Sequence, residues 1–101
     1  MKKMILKEVI AQTETAEKPV VKRLQEGKDF HILAIGLKEN VVLKEHKTDI
    51  PAKLVVIKGQ VVFKTDEAET TLGLYDEHVI QVGQLHAVEA LKDSLFLVIK
   101  G

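Results

Sequence analysis

The stretch from Asn40 to Gly59 reads N-V-V-L-K-E-H-K-T-D-I-P-A-K-L-V-V-I-K-G, and its reading decides the fold. Two short runs rich in Val, Leu and Ile, Val41–Glu45 and Leu54–Lys58, flank a polar loop that carries His46 and Thr48. Runs of this length bounded by turn residues read as strands rather than helices. The side-chain period of a strand is two, so His46 and Thr48 share one face, and Asp49 points the other way wherever the strand stays regular. Gly59 stands between two such runs, where a tight hairpin wants glycine.

The same grammar extends outward in both directions. Strands are predicted at Val20–Leu24, Phe30–Leu37, Val41–Glu45, Leu54–Lys58, Gln60–Thr65, Glu69–Gly73, His78–Val82, His86–Leu91 and Leu95–Lys100. Turn residues recur every 8–12 residues, as at Glu26-Gly27-Lys28-Asp29, Lys58-Gly59-Gln60 and Lys92-Asp93-Ser94, and there is no long helical period. That pattern argues for an all-β antiparallel sandwich or barrel. Residues 1–19 are more polar and read as an N-terminal arm ending at Pro19, in which Ile5, Leu6, Val9 and Ile10 form a short amphipathic turn or lie against a partner. Residues 20–101 form the barrel. Leu54-Val55-Val56-Ile57 and Leu95-Phe96-Leu97-Val98-Ile99 are apolar on both faces. One face fills the barrel, and the other must meet a second layer or a second subunit.

Composition narrows the function classes. At 101 residues the chain has room for one core, and its 46% hydrophobic and 30% charged residues are those of an ordinary globular domain. Net charge is zero, and Arg23 is the only arginine among 15 basic residues. Lysines alternate with acids instead of gathering in a patch, so no nucleic-acid partner is expected. No cysteine is present, which removes disulfides, thiolate catalysis and zinc–sulfur sites. No apolar stretch approaches the ~20 residues that span a bilayer, so no membrane partner is expected. The opening Met1-Lys2-Lys3-Met4-Ile5-Leu6 meets Lys7 and Glu8 too soon for a secretory signal, so the expected location is cytoplasmic. There is no glycine-rich phosphate loop, and no serine is placed for a catalytic triad.

Laid on one known pattern, the spacing is similar to that of the small cupins. Their first motif runs Gly, five residues, His-x-His, three or four residues, Glu, six residues, Gly. Asn40, His46, Thr48, Ala52 and Gly59 take those places here. Asn for Gly is mild, because Asn tolerates the left-handed turn conformation. Their second motif runs Gly, five residues, Pro-x-Gly, two residues, His, three residues, Asn. Tyr75, Gln81, Gly83, His86 and Ala90 fall there, with Asp76 matching the aspartate that often follows the first glycine. The resemblance covers residues 30–100 and implies a double-stranded β-helix, a jelly-roll barrel, built as a homodimer.

In cupins with all four ligands, three His and one Glu hold a divalent ion. This chain keeps His46 and His86, whereas Thr48 offers a weak oxygen and Ala52 none. Two imidazoles seldom hold a labile metal, so no cofactor is expected. A divalent metal ion would need a substitute from Asp49, Glu77 or His78. The resemblance therefore implies a metal-poor module, either accessory or regulatory or binding a small-molecule ligand in a cavity bounded by His46, Thr48, Val56, Phe63, Ile80, His86 and Val88. His46, Thr48, Tyr75 and His86 are the candidate binding residues, with Tyr75 capping the mouth. The rival is a metal-dependent dioxygenase or isomerase that uses His46, His86 and a substitute carboxylate. A third reading is metal-free epimerisation with His86 as base and Tyr75 as acid. His31 is expected at the surface, His78 in the core or at the rim, Asp76 in support of its turn, and Ser94 in a turn without a partner.

Overall fold

The computed structural model describes residues 4–101, so the first three residues of the predicted arm lie outside the described residues. Nine strands follow one helix: α1 (Ile5–Thr13), β1 (Val20–Glu26), β2 (His31–Leu37), β3 (Val42–His46), β4 (Ala52–Lys58), β5 (Val61–Lys64), β6 (Glu69–Leu72), β7 (Glu77–Ile80), β8 (His86–Ala90) and β9 (Ser94–Lys100). All nine predicted strands are present, with ends that move by no more than two residues. They form two antiparallel sheets, ordered β1-β2-β9-β4-β7 and β3-β8-β5-β6. Successive strands change sheet between β2 and β3, β3 and β4, β4 and β5, β6 and β7, β7 and β8, and β8 and β9. This crossing closes two sheets into one barrel.

The core fills the space between the sheets. Leu37, Leu54, Val56, Val61, Phe63 and Phe96 are essentially inaccessible to solvent, and Ile80, Val88 and Val98 pack with them. Alternation along the strands accounts for this: Ile35 and Leu37, Leu54 and Val56, and Phe96 and Val98 each lie two residues apart on an inward face. Burying each large side chain contributes roughly 1.5–3 kcal/mol, which makes this interior the main stabilising mass.

Gly59 does not close a hairpin. It forms a corner, because β4 and β5 belong to different sheets. Its φ is +82°, and a Cβ there would fall 2.4 Å from both the Asp93 carbonyl oxygen and Ser94 Oγ. Ser94, expected to be partnerless, is buried and holds this corner. Its Oγ accepts from the Gln60 N–H at 3.0 Å and lies 2.7 Å from the Lys92 carbonyl. Asn40, in the other predicted turn, has φ +71°, as its tolerance of that region allows.

The predicted amphipathic turn is a full helix, and it packs on its own chain. Val9 and Thr13, one helical turn apart, are buried, and Thr13 Oγ1 donates to the Val9 carbonyl at 2.6 Å. Gly36 makes the docking possible. A Cβ at that point of β2 would meet Thr13 Oγ1 at 2.0 Å and Val9 at 2.8 Å. Val9, Ala34 and Leu95 form a second cluster, joined by Ile5, Leu6, Ile10, Ile57 and Leu97. Helix α1 thus lies over β1 and β2, and its cluster reaches Leu95 and Leu97 of β9 and Ile57 of β4, while the outward Ile99 stays exposed. Among the described residues no helix is long and apolar enough to cross a membrane.

Candidate functional site

β3 and β8 are neighbours, and their register places His46 directly opposite His86, just past an irregularity that follows Leu43. The two rings lie 4.2 Å apart, tilted by 58°. His86 is 3% exposed, whereas His46 is half-buried at the barrel mouth. Each ring is oriented by its own backbone: His46 Nδ1 lies 2.8 Å from the Lys44 carbonyl, and His86 Nδ1 lies 3.0 Å from the Gln84 carbonyl. A carbonyl only accepts, so Nδ1 carries the proton in each neutral ring and Nε2 keeps its lone pair.

The loop after β3 brings Thr48 to the same place. Its carbonyl accepts from the Gly83 N–H at 2.9 Å, which ties this loop to the turn before His86. Thr48 is buried, and its Oγ1 donates to the Ile50 carbonyl at 2.7 Å. His46, Thr48, Ala52 and His86 therefore line one cavity, with Ile80 and Val88 among its apolar walls. Val56 and Phe63, expected on its boundary, lie in the core beyond it. Phe63 stacks on His86 at 5.1 Å and meets His78 at 4.3 Å, so four rings run in sequence from His46 to His78. The cavity measures about 20 Å³, room for one water. An open groove of about 490 Å³ adjoins it through Leu43 and His46, with Lys18 and Lys44 on its walls.

Tyr75 is not part of this cavity. Its N–H donates to the Val56 carbonyl at 2.7 Å, and Val56 lies four residues along β4 from Ala52. That is roughly 13 Å at the usual rise of a strand. Tyr75 takes φ +69° in the turn after β6, where the motif carries glycine, and its side chain is 75% exposed. A His86–Tyr75 acid–base pair is therefore not assembled. Asp76 supports the same turn, its Oδ2 accepting from the Gly73 N–H at 2.8 Å.

The donor set does not fit a tightly held metal ion. Asp49 is exposed, Glu77 pairs with Lys53 at 3.0 Å, and His78 packs against Phe63. Among the described residues no group of three His, Asp or Glu side chains is placed to share an ion. Two imidazoles remain, one short of the usual protein set.

The apolar Leu43, Leu54, Phe96 and Val98 and one charged lining residue escaped the sequence reading. Lys100 closes the cavity beside Ala52, its direct partner across β4 and β9. It shares the inward parity of Phe96 and Val98, a signal hidden in a strand that is apolar on both faces. On its other side Lys100 pairs with His31, which is half-buried rather than a free surface residue.

Burial pushes the His86 imidazole below its ordinary value. The hydrogen bond to the Gln84 carbonyl opposes this, and the charges of His46, Lys100 and His78 add to the lowering. The folded state thus resists a proton that the unfolded chain accepts. Stability falls as pH drops below the ordinary histidine value of about 6.5 and levels off below the depressed folded value. Denaturation midpoints between about pH 8 and about pH 5 should fall more steeply for the wild type than for His86→Gln. Parallel curves would show that His86 carries no such linkage.

No family model matches the sequence, and no curated protein matches it. Solved structures do. An RmlC-like cupin from Desulfovibrio desulfuricans superposes with a TM-score of 0.76 at 23% identity, covering 82% of this chain and 81% of that one. A cupin superfamily protein from Desulfitobacterium hafniense gives 0.76 at 15% identity, with 81% and 75% covered. A Klebsiella pneumoniae protein with a double-stranded β-helix domain gives 0.76 at 14%, with 89% and 84% covered. At such identities the likeness speaks to the fold, and it agrees with the motif spacing and the two crossing sheets. The chain has the double-stranded β-helix fold of the small cupins.

Proposed function

We propose that this barrel is a metal-poor small-molecule-binding or accessory module, with its ligand entering at the His46 end. The observation that carries this reading is the pair of imidazoles held by backbone carbonyls, each keeping Nε2 for a partner, beside Thr48 and Ala52, which add no metal donor. The inner cavity suits one polar atom of a ligand, the size of a water. The adjoining groove, at about 490 Å³, is within the size range of small-molecule sites and shares His46 with the cavity. A ligand with its head against the imidazoles and its body in the groove would use both spaces. The metal-enzyme alternative needs a third protein donor, and the carboxylates considered for that role point elsewhere or are already paired.

The test combines elemental analysis with a calorimetric ligand screen on protein purified without a histidine tag. The expected result is metal far below one ion per chain, unrestored by dialysis against zinc, manganese or nickel. Hits from the screen should weaken on His46→Ala, a change at a half-buried position that leaves the fold intact. Near-stoichiometric metal that is lost on either histidine change would overturn the reading in favour of a metal enzyme.

A further inference from the structure

The charge around this cavity is one-sided. Lys100 lines it together with the four polar and short residues already described, and no carboxylate lines it. Directly across the sheet, Ala52 offers Lys100 no acid. Among the described residues no Asp or Glu lies within ion-pair distance of Lys100, although Lys22, Arg23, Lys53 and Lys64 all have such partners. One acid lies on the same row of the sheet, Glu26 opposite His31, and Arg23 holds it at 2.6 Å. The groove outside continues the pattern, with Lys18, Lys44 and His46 on its walls and no acid. A cation facing a narrow, half-dry space without a counter-charge is an anion site, because the low local dielectric strengthens the attraction.

We infer that the ligand is a small organic carboxylate that lies at the cavity mouth, places one oxygen in the water-sized cavity and pairs with Lys100. This rests on the binding reading above and names its ligand class. The narrow space favours a planar carboxylate over a phosphate, which is bulkier and is usually held by arginine or a nest of backbone N–H groups. The only arginine, Arg23, is already engaged by Glu26. Lys100 is well anchored for the role, since the Gly101 N–H beyond it donates to the Pro51 carbonyl at 3.0 Å.

The experiment titrates the isotopically labelled full chain with acetate, butyrate and benzoate, and with acetamide, butyramide and benzamide as neutral counterparts. The carboxylates should shift the amide resonances of Ala52, His86 and Gly101, with the amides binding about tenfold or more weakly. Lys100→Met should erase that preference, Lys100→Arg should keep most of it, and Lys92→Met, in an exposed turn, should leave it unchanged. Lys100→Gln repeats the test should the methionine variant lose spectral dispersion. Equal binding of amides and carboxylates overturns the carboxylate assignment while leaving small-molecule binding in place. Shifts confined to Lys18 and Lys44 overturn it as well. No shift from either series overturns both the assignment and the binding reading.

Discussion

Phe63→Ala is expected to lower the free energy of unfolding by about 3–5 kcal/mol. Phe63 is 2% exposed and sits inside the main core. It also separates two imidazoles, stacking on His86 at 5.1 Å with an 18° tilt and meeting His78 at 4.3 Å. Truncation removes the transfer free energy of a large ring and leaves a cavity that rigid strands cannot collapse. A domain of this size has roughly 5–15 kcal/mol in all, so the variant stands near the edge of folding. Water entering the vacated space would also relieve the burial of His86 and raise its pKa toward the ordinary value. Urea denaturation reads the first effect, and the titration of the His86 ring proton by NMR reads the second. A stable variant whose His86 still titrates low would show that desolvation does not come from Phe63.

Gly59→Ala should cost about 3 kcal/mol, and Gly83→Ala only about 1–2 kcal/mol. Both glycines have positive φ, +82° and +79°, so both carry the penalty of a side chain in the left-handed region. They differ in what surrounds them. A Cβ on Gly83 meets nothing within 4 Å. A Cβ on Gly59 drives into the Asp93 carbonyl and the Ser94 backbone, and backbone cannot turn aside as a flexible side chain can. Ser94 also satisfies the Gln60 N–H at this corner, so displacing it strains the join between the sheets. Comparing denaturation midpoints of the two variants separates conformational from steric cost. Equal losses would mean that the corner yields easily.

The contrast between Gly59 and Gly83 also marks how far the sequence could be read. That both positions need glycine, and that Asn40 and Tyr75 occupy turns of the same kind, follows from motif spacing and local backbone preference. That Gly59 joins two sheets depends on which strands β4 and β5 choose as neighbours. Helix α1 poses the same problem. Its apolar positions at Ile5, Leu6, Val9 and Ile10 were visible, but so short a helix gains its stability from packing. Its docking place is Gly36, distant in sequence, where a missing side chain leaves room.

What the sequence determined by itself was the local part: nine strands and their turns. These follow from period-two alternation and turn residues, which act between residues close along the chain, whereas the grouping of His46, Thr48 and His86 came from the resemblance to the cupin motifs. Only the tertiary structure decided that Tyr75 lies at the far end of β4, that α1 packs over β1 and β2, and that Lys100 of β9 faces Ala52 of β4. Strand pairing sets those positions. In a strand apolar on both faces, such as Leu95–Ile99, parity alone does not say which side is inward; the neighbour across the sheet does.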